Sequence, residues 1–248
     1  MSQLRDRENG CEWDKEQTFE SIAPYTIEEA YEVADAIDRG NIPDLKEELG
    51  DLLLQVVFLS QIAEEEEFFS FEDVAKSISQ KLVRRHPYVF SDQKYHTAKD
   101  QVTKWEEIKI KERSKKNQIN ILDGIAKNMP ALKRSQKLQR RASKAGFDWP
   151  DTKGIFEKIR EETLELEEAV QSDNKELIKD EIGDLLMVVT NLAQKFNIDS
   201  EEALKHANKK FTFRFNYVEE ELRKQKKEVS DTNLDELNSL WDESKKLR

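Results

Sequence analysis

IEEAYEVADAIDRGNIPDLKEELGDLLLQVVFLSQ, residues 27 to 61, returns 133 positions later as REETLELEEAVQSDNKELIKDEIGDLLMVVTNLAQ, residues 160 to 194. Glu28, Glu29, Glu32, Lys46, Glu48, Gly50, Asp51, Leu52, Leu53, Val56, Leu59 and Gln61 all recur in register. In the first copy Ile27, Tyr31, Ala34 and Ile37 follow i, i+4, i+7, i+10, the stripe of an amphipathic helix. Thr26 and Glu29 have capping-box spacing and predict that this helix starts at 26. Gly40 and Pro43 punctuate a turn, and a second helix is expected over 44 to 63. Its middle, LLLQVVFLSQI at 52 to 62, is apolar on more than one side, so it needs cover on several faces.

The likeness extends outward with small changes of offset. KLVRRHPYV (81 to 89) matches KFTFRFNYV (210 to 218), and WEEIK (105 to 109) matches WDESK (241 to 245). Each copy thus spans roughly 100 residues, a size that one helical domain fills. Further helices are expected at 71 to 85, 98 to 116, 131 to 144, 154 to 172, 175 to 196, 200 to 228 and 234 to 246, with Pro130 at a helix N1 position. The expected organisation is an all-α chain with one repeat at 1 to 116, a basic connector and helix at 117 to 147, and a second repeat at 148 to 248.

Composition removes other readings. Seven glycines and five prolines in 248 residues leave little material for hairpins, which disfavours an all-β chain. Gly146 and Gly154, the closest pair, are eight apart, too far for a dinucleotide fingerprint or a P-loop. The lone Cys11 forms no internal disulfide and no Cys/His cluster offers zinc ligands, which predicts a reducing, cytoplasmic setting. The longest apolar run, Leu52 to Leu59 interrupted by Gln55, is far short of the ~18 residues a membrane span needs, and MSQLRDRENG has no signal-peptide core. A soluble, unprocessed chain with no membrane partner is expected. Net charge is -11, yet Lys104 to Lys144 carries 13 basic against 4 acidic residues. No aromatic side chain interleaves with the basic ones between Lys109 and Lys144, so a solvated helix face is favoured over nucleic-acid binding.

Both copies read Glu-Glu-x-x-Glu, fifteen residues, then Glu-x-x-Asp: Glu28, Glu29, Glu32, Glu48 and Asp51, then Glu161, Glu162, Glu165, Glu181 and Asp184. Positions three or four apart project from one helix face, and two helices joined by a short turn are antiparallel neighbours. Four carboxylates brought together repel unless a cation lies between them, and a hard divalent ion, Mg²⁺ or Mn²⁺, suits oxygen ligands. With 52 acidic residues in the chain, about eleven i, i+3 acidic pairs arise by chance, so one motif alone means nothing. The five-acid pattern is expected only ~0.1 times, and it occurs twice in register. Gly50 and Gly183 lie in the same Glu-x-Gly-Asp segment, where a helical glycine costs about 1 kcal/mol relative to alanine. Close helix packing or a helix irregularity would account for them. Lys81 with Arg85 and Lys210 with Arg214 are i, i+4 basic pairs able to hold a polyphosphate beside a metal site. His86, His96 and His206 share no spacing that marks a nucleophile's base, so no such relay is expected.

These residues resemble the two-repeat MazG family of nucleoside triphosphate pyrophosphohydrolases. The likeness is carried by GCEWDKEQTFESIAPYTIEEAYEV (10 to 33), LKEELGDLLLQVVF (45 to 58) and KLVRRHPYVF (81 to 90) in the first half. GFDW (146 to 149), EETLELEEA (161 to 169), DEIGDLL (180 to 186) and KKFTFRF (209 to 215) carry it in the second. Glu12 departs from it, standing where similar proteins commonly have proline. The resemblance implies duplicated four-helix-bundle-like domains completed by homodimerisation, and Mg²⁺-dependent hydrolysis of NTPs or dNTPs to monophosphate and pyrophosphate. It implies Glu162, Glu165, Glu181 and Asp184 as metal ligands, with Glu29, Glu32, Glu48 and Asp51 as a secondary site. Glu161, Glu162 and Glu165 are the implied catalytic acids; Lys158, Lys179, Asp180, Lys210, Arg214 and Trp241 the substrate contacts. The first copy has Tyr25 where Lys158 stands, so the second copy is the expected main site. A non-catalytic module that senses nucleotide or metal, or docks a partner, is the alternative the same residues allow.

Overall fold

The computed structural model describes residues 1–91, 97–115 and 120–247. Every regular element among them is helical: α1 (Glu12–Glu16), α2 (Phe19–Arg39), α3 (Ile42–Glu65), α4 (Phe71–Arg85), α5 (Pro87–Phe90), α6 (Ala98–Lys115), α7 (Ala131–Lys144), α8 (Thr152–Gln171), α9 (Lys175–Lys195), α10 (Ser200–Lys224) and α11 (Leu234–Ser244), with 3-10 turns at Val229–Asp231 and Lys245–Leu247. The all-α expectation holds. His96, position 116 of the expected sixth segment and the first connector positions, 117 to 119, lie outside the described residues. The chain forms two compact units, Met1–Ile110 and Lys111–Arg248.

The repeat is visible in the caps. Asn41 and Asn174, 133 positions apart, start α3 and α9 by accepting from backbone N–H groups with their side chains. Thr18 and Asp151 do the same for α2 and α8, and Ser70 and Asp199 for α4 and α10. The copies diverge after Arg85. Pro87 cannot continue α4, whereas Asn216 lets α10 run on to Lys224.

Several boundaries differ from expectation: α3 runs from 42 to 65 rather than 44 to 63, α10 stops at Lys224 rather than at 228, and α8, α9 and α11 shift by one or two residues. Thr26 and Glu29 do not start α2; Thr18 and Ser21 form the capping box eight residues earlier, and the Thr26 hydroxyl donates instead to the Ile22 carbonyl at 3.3 Å. Pro24 is accommodated in the second turn, where its missing N–H frees the carbonyl of exposed Glu20 to water. Pro130 is the N-cap of α7, one position before N1.

In the first unit α2 pairs with α3, which also meets α4. Ile22, Phe58 and Ile62 form the core, with Met1, Phe19 and Leu59 against it. Arg5 fastens the N-terminal turns to α3: its guanidinium donates to Glu65 at 2.7 Å and to the Gln17 carbonyl at 3.1 Å. In the second unit α8 pairs with α9, α10 with α11, and α7 packs on α9 and α10. Val218, Leu222 and Leu240 make one core cluster, joined by Trp241. The seat of α7 is polar. Buried Gln136 donates to the Ile198 carbonyl at 2.6 Å, Gln139 to the Met187 carbonyl at 2.7 Å, and Lys133 pairs with Asp199. These bonds offset part of the cost of burying Gln136 and Gln139, although Gln139 Oε1 has no partner.

Close packing within each unit is not the reason for the two helical glycines. A Cβ added at Gly50 or Gly183 would meet nothing within 4 Å.

Candidate metal centre

The acids enter the site through a seven-residue rhythm. On α8, Ile155, Glu162 and Ala169 are buried at successive intervals of seven, two helical turns, and so line the seam against α9. On α2 the same rhythm places Ile22, Glu29 and Ala36, with Glu29 half-buried. Glu162 and Glu29 therefore occupy core positions between an isoleucine and an alanine. A carboxylate buried there needs a compensating partner.

In the second unit the Glu162, Glu165 and Glu181 carboxylate oxygens lie within 4.8 Å of one another. Glu162 is 3% exposed, Glu181 half-buried and Glu165 exposed. Burial first, then the charges of Glu165, Glu162, Asp184 and Asp180, pushes the Glu181 carboxyl above its usual range. Asp184 thus acts on the cluster electrostatically but stands outside the close group of three.

The first unit gathers a different trio from the homologous four: Glu29, Glu48 and Asp51. Burial raises the Glu29 carboxyl most, followed by Glu32 and Asp51, with the Gln55 amide opposing. Glu48 is raised by burial, then by the charge of Glu32 and a hydrogen bond with it. Crowded carboxyls whose pKa values are raised, with only oxygen donors, fit a hard divalent cation.

Partners of the buried acid differ between repeats. Lys158, one turn before Glu162, donates its ammonium to Glu161 Oε1 at 2.7 Å and to Glu162 Oε1 at 2.6 Å. Those bonds, Glu161 first, hold the Lys158 pKa well above its usual value. Tyr25 occupies the matching position on α2, its ring edge-on to Trp13 at 6.1 Å. There Gln55 Nε2 donates to Glu29 Oε1 at 3.4 Å. Gln55 is itself buried, and its Oε1 has no partner.

The remaining expected contacts form a second group on α10 and α11. The Arg214 guanidinium lies 5.7 Å from the Trp241 ring centroid, and Phe211 tilts against the same indole at 5.3 Å. Phe215 stacks on Phe211 at 6.0 Å. Lys210 and Arg214 are half-buried one turn apart on α10; Lys179 and Asp180 are exposed on α9. No hydrogen bond or ion pair among the described residues links Lys210 or Arg214 to the acids of α8 and α9. Reading the sequence missed two contacts. Lys158 with Glu161 and Glu162 was signalled by i, i+3 and i, i+4 spacing; Gln55 was signalled only as the one polar break in an apolar run.

Among the described residues no helix is long and apolar enough to cross a membrane. The chain is 45% identical over 250 residues to the nucleoside triphosphate pyrophosphohydrolase of Escherichia coli strain K12, covering 99% of this chain and 94% of that one. It is 45% identical over 245 residues to the nucleoside triphosphate pyrophosphohydrolase/pyrophosphatase MazG of Thermotoga maritima, covering 99% and 92%. A Mycobacterium tuberculosis nucleoside triphosphate pyrophosphohydrolase is 40% identical over 137 residues, 54% of this chain and 41% of that one. The MazG nucleotide pyrophosphohydrolase domain model matches twice, over residues 17–90 and 151–219, and so contains both acid clusters. By that double match and by full-length similarity, the chain belongs to the MazG family.

Proposed function

We propose that the chain is a nucleoside triphosphate pyrophosphohydrolase that converts NTPs or dNTPs to the monophosphate and pyrophosphate, with its main site in the second repeat. The observation that carries this reading is the Glu162, Glu165 and Glu181 trio, oxygens within 4.8 Å, inside the second segment that matches the family model. The relatives' names supply the substrate class.

Glu162, Glu165, Glu181 and Asp184 would hold Mg²⁺, with Mn²⁺ as a substitute. Bound there, such an ion would supply Lewis acidity to the reaction. Water adds across the α–β anhydride: its oxygen bonds one phosphorus, and the electron pair of the broken P–O bond stays with the other fragment. Glu161, exposed beside Glu162, would take the water proton once its bond to Lys158 is released. Lys210 and Arg214 bind phosphate oxygens as charge-assisted donors. Lys158, Lys179 and Asp180 are further substrate contacts in this reading, and Trp241 offers an indole face to the base. Glu29, Glu32, Glu48 and Asp51 form a secondary site in which Tyr25 supplies no ammonium.

A homodimer completes each bundle in this reading. Leu49, Leu53, Ile182, Leu186 and Met187 on the motif-bearing helices are all exposed in the single chain, and such apolar faces call for a covering partner. The free Cys11 accords with a cytoplasmic setting.

Incubating the protein with each NTP and Mg²⁺, then separating products by ion-exchange chromatography, tests the function. Monophosphate and pyrophosphate in equal amounts are expected. Diphosphate with orthophosphate overturns the reading, and EDTA-sensitive nucleotide binding without turnover favours a sensor instead.

A further inference from the structure

We propose that Lys158 is a displaceable counter-ion of the second acid cluster. In the nucleotide-free protein its ammonium holds Glu161 and Glu162 in place of a divalent cation. It must leave Glu162 before that carboxylate is free to serve a metal. The inference rests on the metal-dependent reading above and adds an order of events to it: metal and polyphosphate load together in the second repeat.

Three observations support the exchange. First, the ammonium is on the ligand itself. Lys158 Nζ lies 2.6 Å from Glu162 Oε1, and Glu162 is one of the three acids whose oxygens converge. A divalent ion sharing that carboxyl would face a full positive charge across a few ångström, in a place that burial shields poorly from Coulomb repulsion. Second, the side chain can move away without moving the helix. Lys158 and its two acids lie within one turn of α8, and its side chain is 34% exposed on a flexible four-carbon stem. The triphosphate of a substrate gives the departing ammonium another anion. Third, the first repeat lacks the device. With Tyr25 at the matching position, Glu29 takes a neutral amide from Gln55, and no ammonium has to be displaced from it.

The two repeats therefore differ in how they load. The first accepts a divalent ion directly; the second is held back until an anionic ligand draws Lys158 off. This makes Lys158 a positioning residue for Glu162 as well as a phosphate contact.

Mn²⁺ binding to the full-length, nucleotide-free protein, followed by the electron paramagnetic resonance signal of free Mn²⁺, tests the proposal. Wild type is compared with Lys158→Met, Lys158→Arg, Glu181→Gln and the double variant Lys158→Met/Glu181→Gln. Loss of a charge-assisted hydrogen-bonded competitor predicts about tenfold tighter Mn²⁺ binding in Lys158→Met. Adding Glu181→Gln should abolish the gain, and Lys158→Arg, which keeps the charge, should show none. Lys158→Gln gives the same readout should the methionine variant fail to fold. Mn²⁺ affinity that is unchanged or weaker without the ammonium overturns the counter-ion role while leaving the metal reading standing. Absence of any Glu181-dependent Mn²⁺ binding in every variant overturns the metal reading and the proposal with it.

Discussion

Gln55 reaches from α3 to donate its side-chain amide to Glu29 on α2 at 3.4 Å, at the position where the second repeat has Val188. Both Gln55 and Val188 are buried to the same degree, 7% exposed. The two repeats thus share a backbone plan and a buried acid but answer its burial by different means, an amide from the neighbouring helix in one and an ammonium from the same helix in the other.

Replacing Gln55 by leucine should change stability little. The variant loses one long hydrogen bond to Glu29 but also removes the partnerless Oε1, and the two effects offset to within about 1 kcal/mol. Urea denaturation measures it. A loss of 3 kcal/mol or more would mean that the amide bond to Glu29 is a principal tie between α2 and α3.

Stability of the metal-free protein should rise as pH falls from neutral toward the ordinary carboxylate range. Glu29, Glu48 and Glu181 all have folded pKa values raised above their unfolded ones, so the stability they contribute is present when they are protonated and lost as pH rises through the raised values. The opposing groups, Glu65 paired with Arg5, Asp199 paired with Lys133, and Asp6, Asp73, Asp148 and Asp242, are lowered and lose their contribution only at still more acid pH. Thermal midpoints recorded in EDTA from pH 8 to pH 5 should therefore climb. Saturating Mg²⁺ should flatten that slope by relieving the repulsion at neutral pH. A metal-free midpoint that falls steadily over this range would contradict the crowding.

Glu162→Gln and Glu29→Gln, assayed side by side for pyrophosphate release, separate the repeats. Loss of a metal ligand in the working site should lower kcat/KM by roughly 100-fold or more. The Glu162 variant is expected to show that loss, and the Glu29 variant to stay within about threefold of wild type. The reverse order would move the main site to the first repeat.

Gly183→Ala tests what the open space around that glycine means. Among the described residues nothing beyond the helix's own backbone lies within 4 Å of an added Cβ, so helix propensity alone predicts stabilisation by about 1 kcal/mol. A lower melting midpoint, accompanied by a shift toward monomer in sedimentation velocity, would mean that a second copy packs closely on this face of α9.

The local signals were read well where they were strong. The 3.6-residue rhythm and the breaker residues marked α4 and α7 to the residue, and the register of 133 positions correctly paired α2 with α8 and α3 with α9. One local signal misled. Thr26 and Glu29 satisfy a capping-box pattern, yet the N-cap of α2 is Thr18, because a pattern of residue types does not tell whether the backbone at that position has the extended conformation that a cap needs.

The amino-acid sequence by itself determined that this is a duplicated helical chain, that each copy carries five acids at helical spacing, and that Lys158 stands one turn before Glu162, because all of these depend on residues near in the chain. Only the tertiary structure decided which acids converge. Glu29, Glu48 and Asp51 meet in one repeat and Glu162, Glu165 and Glu181 in the other, though the eight candidate positions match one for one. It also decided that Gln55 faces Glu29. Both outcomes turn on how two antiparallel helices settle against each other, and that is set by which side chains fill the seam between them rather than by spacing along either one.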